Sequence, residues 1–255
     1  MAKRIEDLKI FENKRLTNDF FILELSGNNK LPDLKPGQFA QVRVDGSTDT
    51  FLRRPISIHD VDYKKNTIKL LIQIAGKGTE TLSKLRVGDT LNMIYPLGNS
   101  FGLPNENEKI LLVGGGCGVA PLMFLGKYLK SNGYIPDILL GFRNSERILE
   151  FDEYSKIGNV FLTTEDGSSG EKGYVTNHSV LVTGSYDRIY CCGPDPMMRA
   201  VAGYCEKNNI VCEVSLENLM ACGIGACLCC IVDTTRGNLC ACIDGPVFNI
   251  NELKW

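Results

Sequence analysis

The stretch CGIGACLCCIVDTTRGNLCAC, from Cys222 to Cys242, constrains this chain more than any other. It holds six of the eleven cysteines. Four of them run in the register Cys222-x4-Cys227-x2-Cys230, followed by Cys242, which is the plant-type spacing for thiolate ligands of a [2Fe-2S] cluster. Glycine and cysteine leave the segment few large apolar side chains, so it cannot build a core of its own. Its order is expected to come from metal ligation, because metal-binding free energy acts as folding free energy. Gly223 and Gly225 stand between the first two ligands, where glycine lets backbone N–H groups approach sulfur closely. A four-cysteine zinc site is the competing reading, but it usually pairs two C-x2–4-C units across a longer gap. Cys229 and Cys240 blur the register. The x2 gap after Cys227 selects Cys230, whereas spacing does not choose between Cys240 and Cys242.

The chain has 255 residues, enough for two domains and a small appendage. A net charge of −2 gives no broad basic surface, which excludes a nucleic-acid-binding role. No apolar run approaches the roughly 18 residues that span a membrane, and MAKRIEDLKIF has no apolar stretch of signal-peptide length. A cytoplasmic protein is therefore expected, with no membrane partner. Eleven cysteines in that compartment indicate metal or redox chemistry rather than a disulfide scaffold. With only His59 and His178, a histidine-rich metal centre is excluded, and both are read as structural or surface residues.

The first hundred residues read as all-β. FFILEL (20–25), QFAQVRV (38–44), PISIHDV (55–61), TIKLLIQI (67–74) and DTLNMIY (89–95) are short β-favouring runs separated by turn chemistry such as Lys35-Pro36-Gly37. In the fourth run Ile68, Leu70, Ile72 and Ile74 alternate with Thr67, Lys69, Leu71 and Gln73, predicting one apolar face. Five or six such strands predict a small closed antiparallel barrel. After Gly102 the pattern changes to strands alternating with helices: strands at 110–113, 137–142, 159–164, 188–193 and 211–216, and helices at about 119–131 and 195–208. That alternation predicts a mainly parallel sheet. The expected class is β plus α/β, with domains at 1–102, 103–216 and 217–255.

Three motifs carry possible ligand chemistry. Gly114-Gly115-Gly116-Cys117-Gly118-Val119-Ala120-Pro121 lies between a strand and a helix, where a pyrophosphate can meet backbone N–H groups. Pro121 stands where the last glycine of a G-x-G-x-x-G fingerprint would be, and no Walker lysine follows. Arg53-Arg54-Pro55-Ile56-Ser57 offers a guanidinium fork and a hydroxyl on an extended segment. Gly76-Lys77-Gly78-Thr79 is a turn with backbone and hydroxyl donors. Taken singly, each is also compatible with a plain turn or a solvated strand edge.

Their order along the chain, with Cys192-Gly193-Pro194-Asp195-Pro196 after a late strand, resembles the ferredoxin–NADP reductase superfamily. Adding LRRPISI, GKGTETLS, PLGNSF, CGIGACLCC and CIDGPVF, nearly the whole chain is similar to the electron transfer subunits of NAD-dependent (type B) dihydroorotate dehydrogenases. The resemblance implies FAD, one [2Fe-2S] cluster and NAD. It also implies an FMN-containing catalytic subunit that oxidises dihydroorotate in pyrimidine (UMP) biosynthesis, in a heterotetramer of two of each subunit. By position, FAD would meet Arg54, Pro55, Ile56, Ser57, Leu71, Ile72, Gln73, Gly78 and Thr79. NAD+ or NADH would meet Gly115, Gly116, Gly118, Pro121, Gly193 and Pro194, with Cys192 as the one candidate beside the hydride path. The ligands would be Cys222, Cys227, Cys230 and Cys242, the last chosen by the match of CIDGPVF. Departures are Gln73, where an arginine is common, Cys117 in the glycine loop, and the extra thiols Cys229 and Cys240. Arg143, after the strand ending Gly-Phe, is the residue that could meet a 2′-phosphate. The flavin subunit of a cytosolic hydrogenase and an NAD(P)H–ferredoxin oxidoreductase subunit share these motifs and remain alternatives.

Overall fold

A computed structural model describes residues 3–255. Met1 and Ala2, which the expected first domain includes, lie outside the described residues. The first part contains β1 (Arg4–Arg15), β2 (Phe20–Ser26), β3 (Phe39–Val42), β4 (Arg54–Ser57), β5 (Asp60–Asp62), β6 (Thr67–Gln73), α1 (Lys77–Ser83) and β7 (Thr90–Leu97). Its strands form an antiparallel sheet in the order β4-β3-β7-β1-β2-β6-β5. The sheet curls until β4 lies against β6. No ladder joins the edge strands β4 and β5 among the described residues, so the barrel is open along that seam. The seam reflects the break of the expected 55–61 strand into β4 and β5 at Ile58-His59, both of which turn into the protein.

Alternation decides what each face of this sheet meets. Ile68, Leu70 and Ile72 of β6 point inward with Leu23 and Leu25 of β2. Leu71 points outward with Phe20 and Ile22 and packs on the second domain. β1 has no counterpart among the predicted strands. Its run RIEDLKIFENKR is too charged to read as a strand, yet Leu8 and Ile10 are buried and it pairs with both β2 and β7. Long-range pairing supplied what local composition did not.

The second part contains β8 (Ile110–Gly115), α2 (Val119–Ser131), β9 (Asp137–Phe142), α3 (Phe151–Ser155), β10 (Asn159–Thr164), β11 (Glu171–Lys172), α4 (Ser179–Thr183), β12 (Arg188–Cys192), α5 (Asp195–Asn208) and β13 (Val211–Ser215). Then follow β14 (Ile231–Thr234), β15 (Gly237–Cys240) and β16 (Val247–Asn249). The second sheet runs β11-β10-β9-β8-β12-β13-β16, parallel throughout except for the last pair. Residues of α2 cover one face and residues of α5 the other. The order reverses between β8 and β12, and in an open α/β sheet the crevice at the strand ends of such a switch point takes the ligand. β14 and β15 form a hairpin, while β16 joins the second sheet through β13. The C-terminal segment is thereby anchored to the α/β layer instead of hanging from it.

The barrel and the α/β layer are locked by polar contacts as well as by Phe20, Ile22 and Leu71. His59 is buried; its Nδ1 lies 2.9 Å from the Ala120 carbonyl oxygen and its Nε2 2.7 Å from Glu150 Oε2. Lys127 on α2 pairs with Asp60 at 2.5 Å, and Arg147 with Asp19 at 2.6 Å. His59 is thus structural, as the composition implied, but in a specific place. His178 accepts a hydrogen bond from the Val180 N–H at the start of α4, and burial holds its pKa below the usual histidine value. No helix among the described residues is long and apolar enough to cross a membrane.

Candidate cofactor sites

The barrel segment after Leu52 separates two arginines. Arg53 turns inward, its guanidinium donating to Asn92 Oδ1 at 2.5 Å and to the carbonyls of Gln41 and Asn92 at 3.2 Å. Arg54 makes only long contacts to carbonyls of its own neighbours, at 3.2 and 3.4 Å, and no carboxylate pairs with it among the described residues. Its Nε lies 3.2 Å from where a Cβ on Gly78 would be, so the guanidinium is stacked over the start of α1. An unpaired guanidinium over a turn of backbone N–H groups suits a pyrophosphate. Thr79 is occupied differently from the expectation of a free donor. Its hydroxyl accepts from the Ala75 and Gly76 N–H groups at 2.9 and 3.3 Å and donates to the Gly76 carbonyl. It shapes the turn that would hold the ligand.

Next to Arg54 opens a cavity of about 260 Å³ whose lining includes Pro55, Ile56, Ser57, Leu71, Ile72 and Gln73 from the barrel. Cys117 and Cys192 from the α/β layer close one side, and Glu217, Asn218 and Met220, just ahead of the cysteine segment, close another. A mainly apolar cavity with a hydroxyl and an amide in its lining suits a flavin ring. A second cavity, about 790 Å³, lies at the switch point between β8 and β12. Gly115, Gly116, Gly118, Gly193 and Pro194 line it, and Arg143, Arg147, Glu165 and Tyr174 stand at its other end. The cavities share Gln73, Cys117 and Glu217.

The glycine loop is shaped mainly by packing. A Cβ on Gly118 would lie 2.3 Å from the Cys192 carbonyl oxygen, and one on Gly115 would lie 2.4 Å from Met197 Sδ. Only bare backbone lets the loop after β8 touch the Cys192-Gly193-Pro194 loop. Gly116, with φ of +54°, faces open space. Pro121 is buried in the first turn of α2 and does not line the cavity, so its role is in the helix rather than at a ligand. Cys192 lines the smaller cavity but is buried, and burial pushes its thiol well above the usual value. Burial thus disfavours its thiolate form. Burial likewise pushes Cys117 up to about 12.

The cysteine segment brings its thiols together by backbone geometry that few residues adopt. Gly223, Gly225 and Leu228 have φ of +69°, +81° and +58°. N–H groups turn toward sulfur as a result: Ile224 to Cys222 Sγ at 3.5 Å, Gly225 to Cys242 Sγ at 3.2 Å, and Cys242 to Cys230 Sγ at 3.4 Å. The Ile224 N–H is the main cause that lowers the Cys222 thiol to about 6. Cys222 lies within reach of Cys227, and Cys242 of Cys230. Two such pairs match a dinuclear cluster, in which each iron takes two protein thiolates. No three metal-binding side chains converge on a single ion position among the described residues. The other thiols are placed apart in part. Cys229 is exposed and turns toward the Leu219 carbonyl at 3.7 Å, whereas Cys240 also comes near Cys230.

Residues that motif reading did not single out complete the sites. Glu217 sits between the two cavities, its carboxyl raised above the usual range by desolvation. Met220, two residues before Cys222, lines the smaller cavity. The Leu-Glu-Asn sequence carries no local signal, although its place just ahead of Cys222 could have drawn attention to it.

Comparison with known proteins agrees with this three-part arrangement. The oxidoreductase FAD-binding domain family matches residues 7–102, and the oxidoreductase NAD-binding domain family matches residues 112–203. The iron-sulfur cluster binding domain of dihydroorotate dehydrogenase B matches residues 217–254. Among similar proteins, the dihydroorotate dehydrogenase B (NAD(+)), electron transfer subunit of Clostridium acetobutylicum is 42% identical, over 96% of this chain and 95% of that protein. The protein of the same name from Shouchella clausii is 38% identical, over 99% of both. A solved NADH-dependent reduced ferredoxin-NADP oxidoreductase superposes with a TM-score of 0.89 at 28% identity, over 97% of this chain and 90% of that one. The cytochrome b5 reductase domain of Ulva prolifera nitrate reductase shares the fold, with a TM-score of 0.68 at 17% identity, over 81% of this chain and 94% of that one.

Proposed function

This chain belongs to the family of dihydroorotate dehydrogenase B (NAD(+)) electron transfer subunits, and from that membership we propose the following course for its electrons. They enter at a [2Fe-2S] cluster from an FMN-containing catalytic subunit that oxidises dihydroorotate, pass to FAD, and leave on NAD+. The overall reaction converts dihydroorotate and NAD+ to orotate, NADH and a proton, in pyrimidine biosynthesis. The observation that carries the reading is the smaller cavity, which is lined at once by the barrel, by the α/β layer and by Glu217, Asn218 and Met220 of the stretch that leads into the cysteine segment. A flavin there is in reach of both neighbours. When bound, FAD supplies the exchange between single electrons and a hydride.

The chain's own residues position and insulate. Arg54, with the turn at Gly78 and Thr79, holds the FAD pyrophosphate. Pro55, Ile56, Ser57 and the Leu71-Ile72-Gln73 edge hold the ring. Gly115, Gly116 and Gly118, with Gly193 and Pro194, bring the nucleotide to the shared wall of the two cavities. Half-buried Cys117 in that wall and buried Cys192 beside it keep this side of the site apolar. Cys222, Cys227, Cys230 and Cys242 hold the iron, all as thiolates in the bound state. The partner is the catalytic subunit, in a heterotetramer of two of each in the cytoplasm. The greater identity to the dihydroorotate dehydrogenase B subunits than to the ferredoxin-linked enzyme favours this assignment over the ferredoxin one.

The test is reconstitution. The purified chain is expected to carry FAD and iron with sulfide, and to oxidise NADH with an artificial acceptor. Mixed with the catalytic subunit, it is expected to give dihydroorotate-dependent NAD+ reduction. NADH oxidation without any dihydroorotate-dependent NAD+ reduction in the mixture would reject the partner.

A further inference from the structure

β3 carries a polar side chain where its surroundings call for an apolar one. Gln41 is fully buried, and among the described residues neither its Oε1 nor its Nε2 has a hydrogen-bond partner. A buried amide left without a partner is costly, because it gave up its bonds to water. Its main chain is well held, paired with Pro55 on β4 and Ile94 on β7. Alternation fixes where the side chain goes. Ala40 and Val42 point into the barrel core. Phe39 and Ile94 belong instead to the core that contains Cys230 and Cys242. Gln41 shares that outward face. A Cβ on Gly223 would lie 2.6 Å from Gln41 Cγ and 2.9 Å from its Nε2, so the side chain packs directly against the residue that follows Cys222. Phe39, two residues away, and Pro55, directly opposite, both line the smaller cavity. Gln41 therefore stands between the flavin slot and the cysteine loop.

We propose that the Gln41 carboxamide is a hydrogen-bond donor to the iron–sulfur site held by Cys222, and that it raises the reduction potential of that site from the barrel side. The inference rests on the cluster reading above. The physical basis is charge. Reduction adds one negative charge to the cluster, and a donor nearby favours the more negative form. Gly223 is the residue that permits the approach, since any side chain there would displace the amide.

The experiment uses the purified full-length protein with its cofactors and the variants Gln41→Leu, Gln41→Met and Gln41→Glu. Iron and sulfide content of the wild type comes first: a wild type without them refutes the cluster reading itself, and the inference falls with it. The cluster is then titrated electrochemically and read by electron paramagnetic resonance. At the potential that half-reduces the wild type, the reduced-to-oxidised ratio in the Leu and Met variants is expected to fall by up to about tenfold, which is about 59 mV for one electron. The Glu variant keeps the shape and adds negative charge, so its ratio is expected to fall at least as far. FAD content is expected to stay at the wild-type level. A wild-type ratio in the cluster-bearing Leu and Met variants overturns the proposal. Loss of the cluster from all three variants also overturns it, because the side chain is then needed for packing and not for donation.

Discussion

Gly118→Ala isolates the contact between the two loops that frame the nucleotide cavity. Gly118 has φ of −63° and ψ of −10°, which alanine adopts freely, so backbone conformation does not penalise the change. The penalty lies in the added methyl group, which would sit 2.3 Å from the Cys192 carbonyl oxygen and 2.4 Å from the Gly193 nitrogen. Both are backbone atoms at the end of β12 and cannot swing aside. Ordinary contact begins near 3.4 Å, so the loops must part by about 1 Å. Overpacking of this kind costs about 1–3 kcal/mol. At roughly 2–4 °C per kcal/mol for a chain of this size, the unfolding midpoint is expected to fall by about 2–12 °C. The nucleotide sits across the same gap, and a 1 Å misplacement can cost about a hundredfold in rate. The assay is NADH oxidation by the FAD-loaded protein with an artificial acceptor, alongside thermal unfolding. kcat/KM for NADH is expected to fall ten- to a hundredfold with FAD content unchanged. Gly203→Ala on α5 is the control: among the described residues nothing lies within 4 Å of its added methyl, so it is expected to gain about 0.5–1 kcal/mol. A Gly118→Ala protein with wild-type midpoint and wild-type kcat/KM would refute the reasoning.

Arg54→Ala is expected to weaken FAD binding roughly ten- to a hundredfold, since each charge-assisted hydrogen bond is worth about 1.5–3 kcal/mol; FAD retained after gel filtration is the measurement. Cys230→Ser is expected to lose the cluster signal and dihydroorotate-dependent activity while keeping NADH oxidation with an artificial acceptor. Cys229→Ser, altering an exposed thiol turned toward Leu219, is expected to keep all three, and iron content with paramagnetic resonance decides. His59→Leu strands the Glu150 carboxylate between barrel and α/β layer and is expected to cost about 3–5 kcal/mol at neutral pH, read as unfolding in denaturant. Burial would raise the Glu150 pKa, but the hydrogen bond and charge of His59 outweigh it and hold the group below its ordinary 4.5. The carboxylate's contribution is therefore complete above about pH 4.5 and lost as pH falls through the lower folded value, so the gap between variant and wild type is expected to narrow in acid.

Much of this molecule was legible in one dimension because its signals are local. Ile68, Leu70 and Ile72 alternate as a strand must, and the β8–glycine loop–α2 unit declares itself by composition. Cys222, Cys227 and Cys230 do so by spacing, whereas the choice of Cys242 over Cys240 came from the resemblance. What remained hidden depends on partners distant in the chain. β1 reads as a charged segment and becomes a strand because β2 and β7 flank it. β16 ties the cysteine segment to β13 through three residues that carry no strand signal of their own. Barrel closure also stopped short, because the chain bends inward at Ile58-His59 to meet α2. The same division holds at the sites. The sequence by itself determined which residues can bind phosphate, flavin or iron, since those capacities belong to guanidinium, glycine and thiol groups wherever they occur. The tertiary structure alone decided which of two adjacent arginines is left unpaired, that Pro121 serves the helix, that Glu217 stands between two cavities, and that Gln41 lies buried against Gly223. Burial and the absence of a partner are properties of the space around a side chain, and that space is assembled from segments the sequence holds far apart.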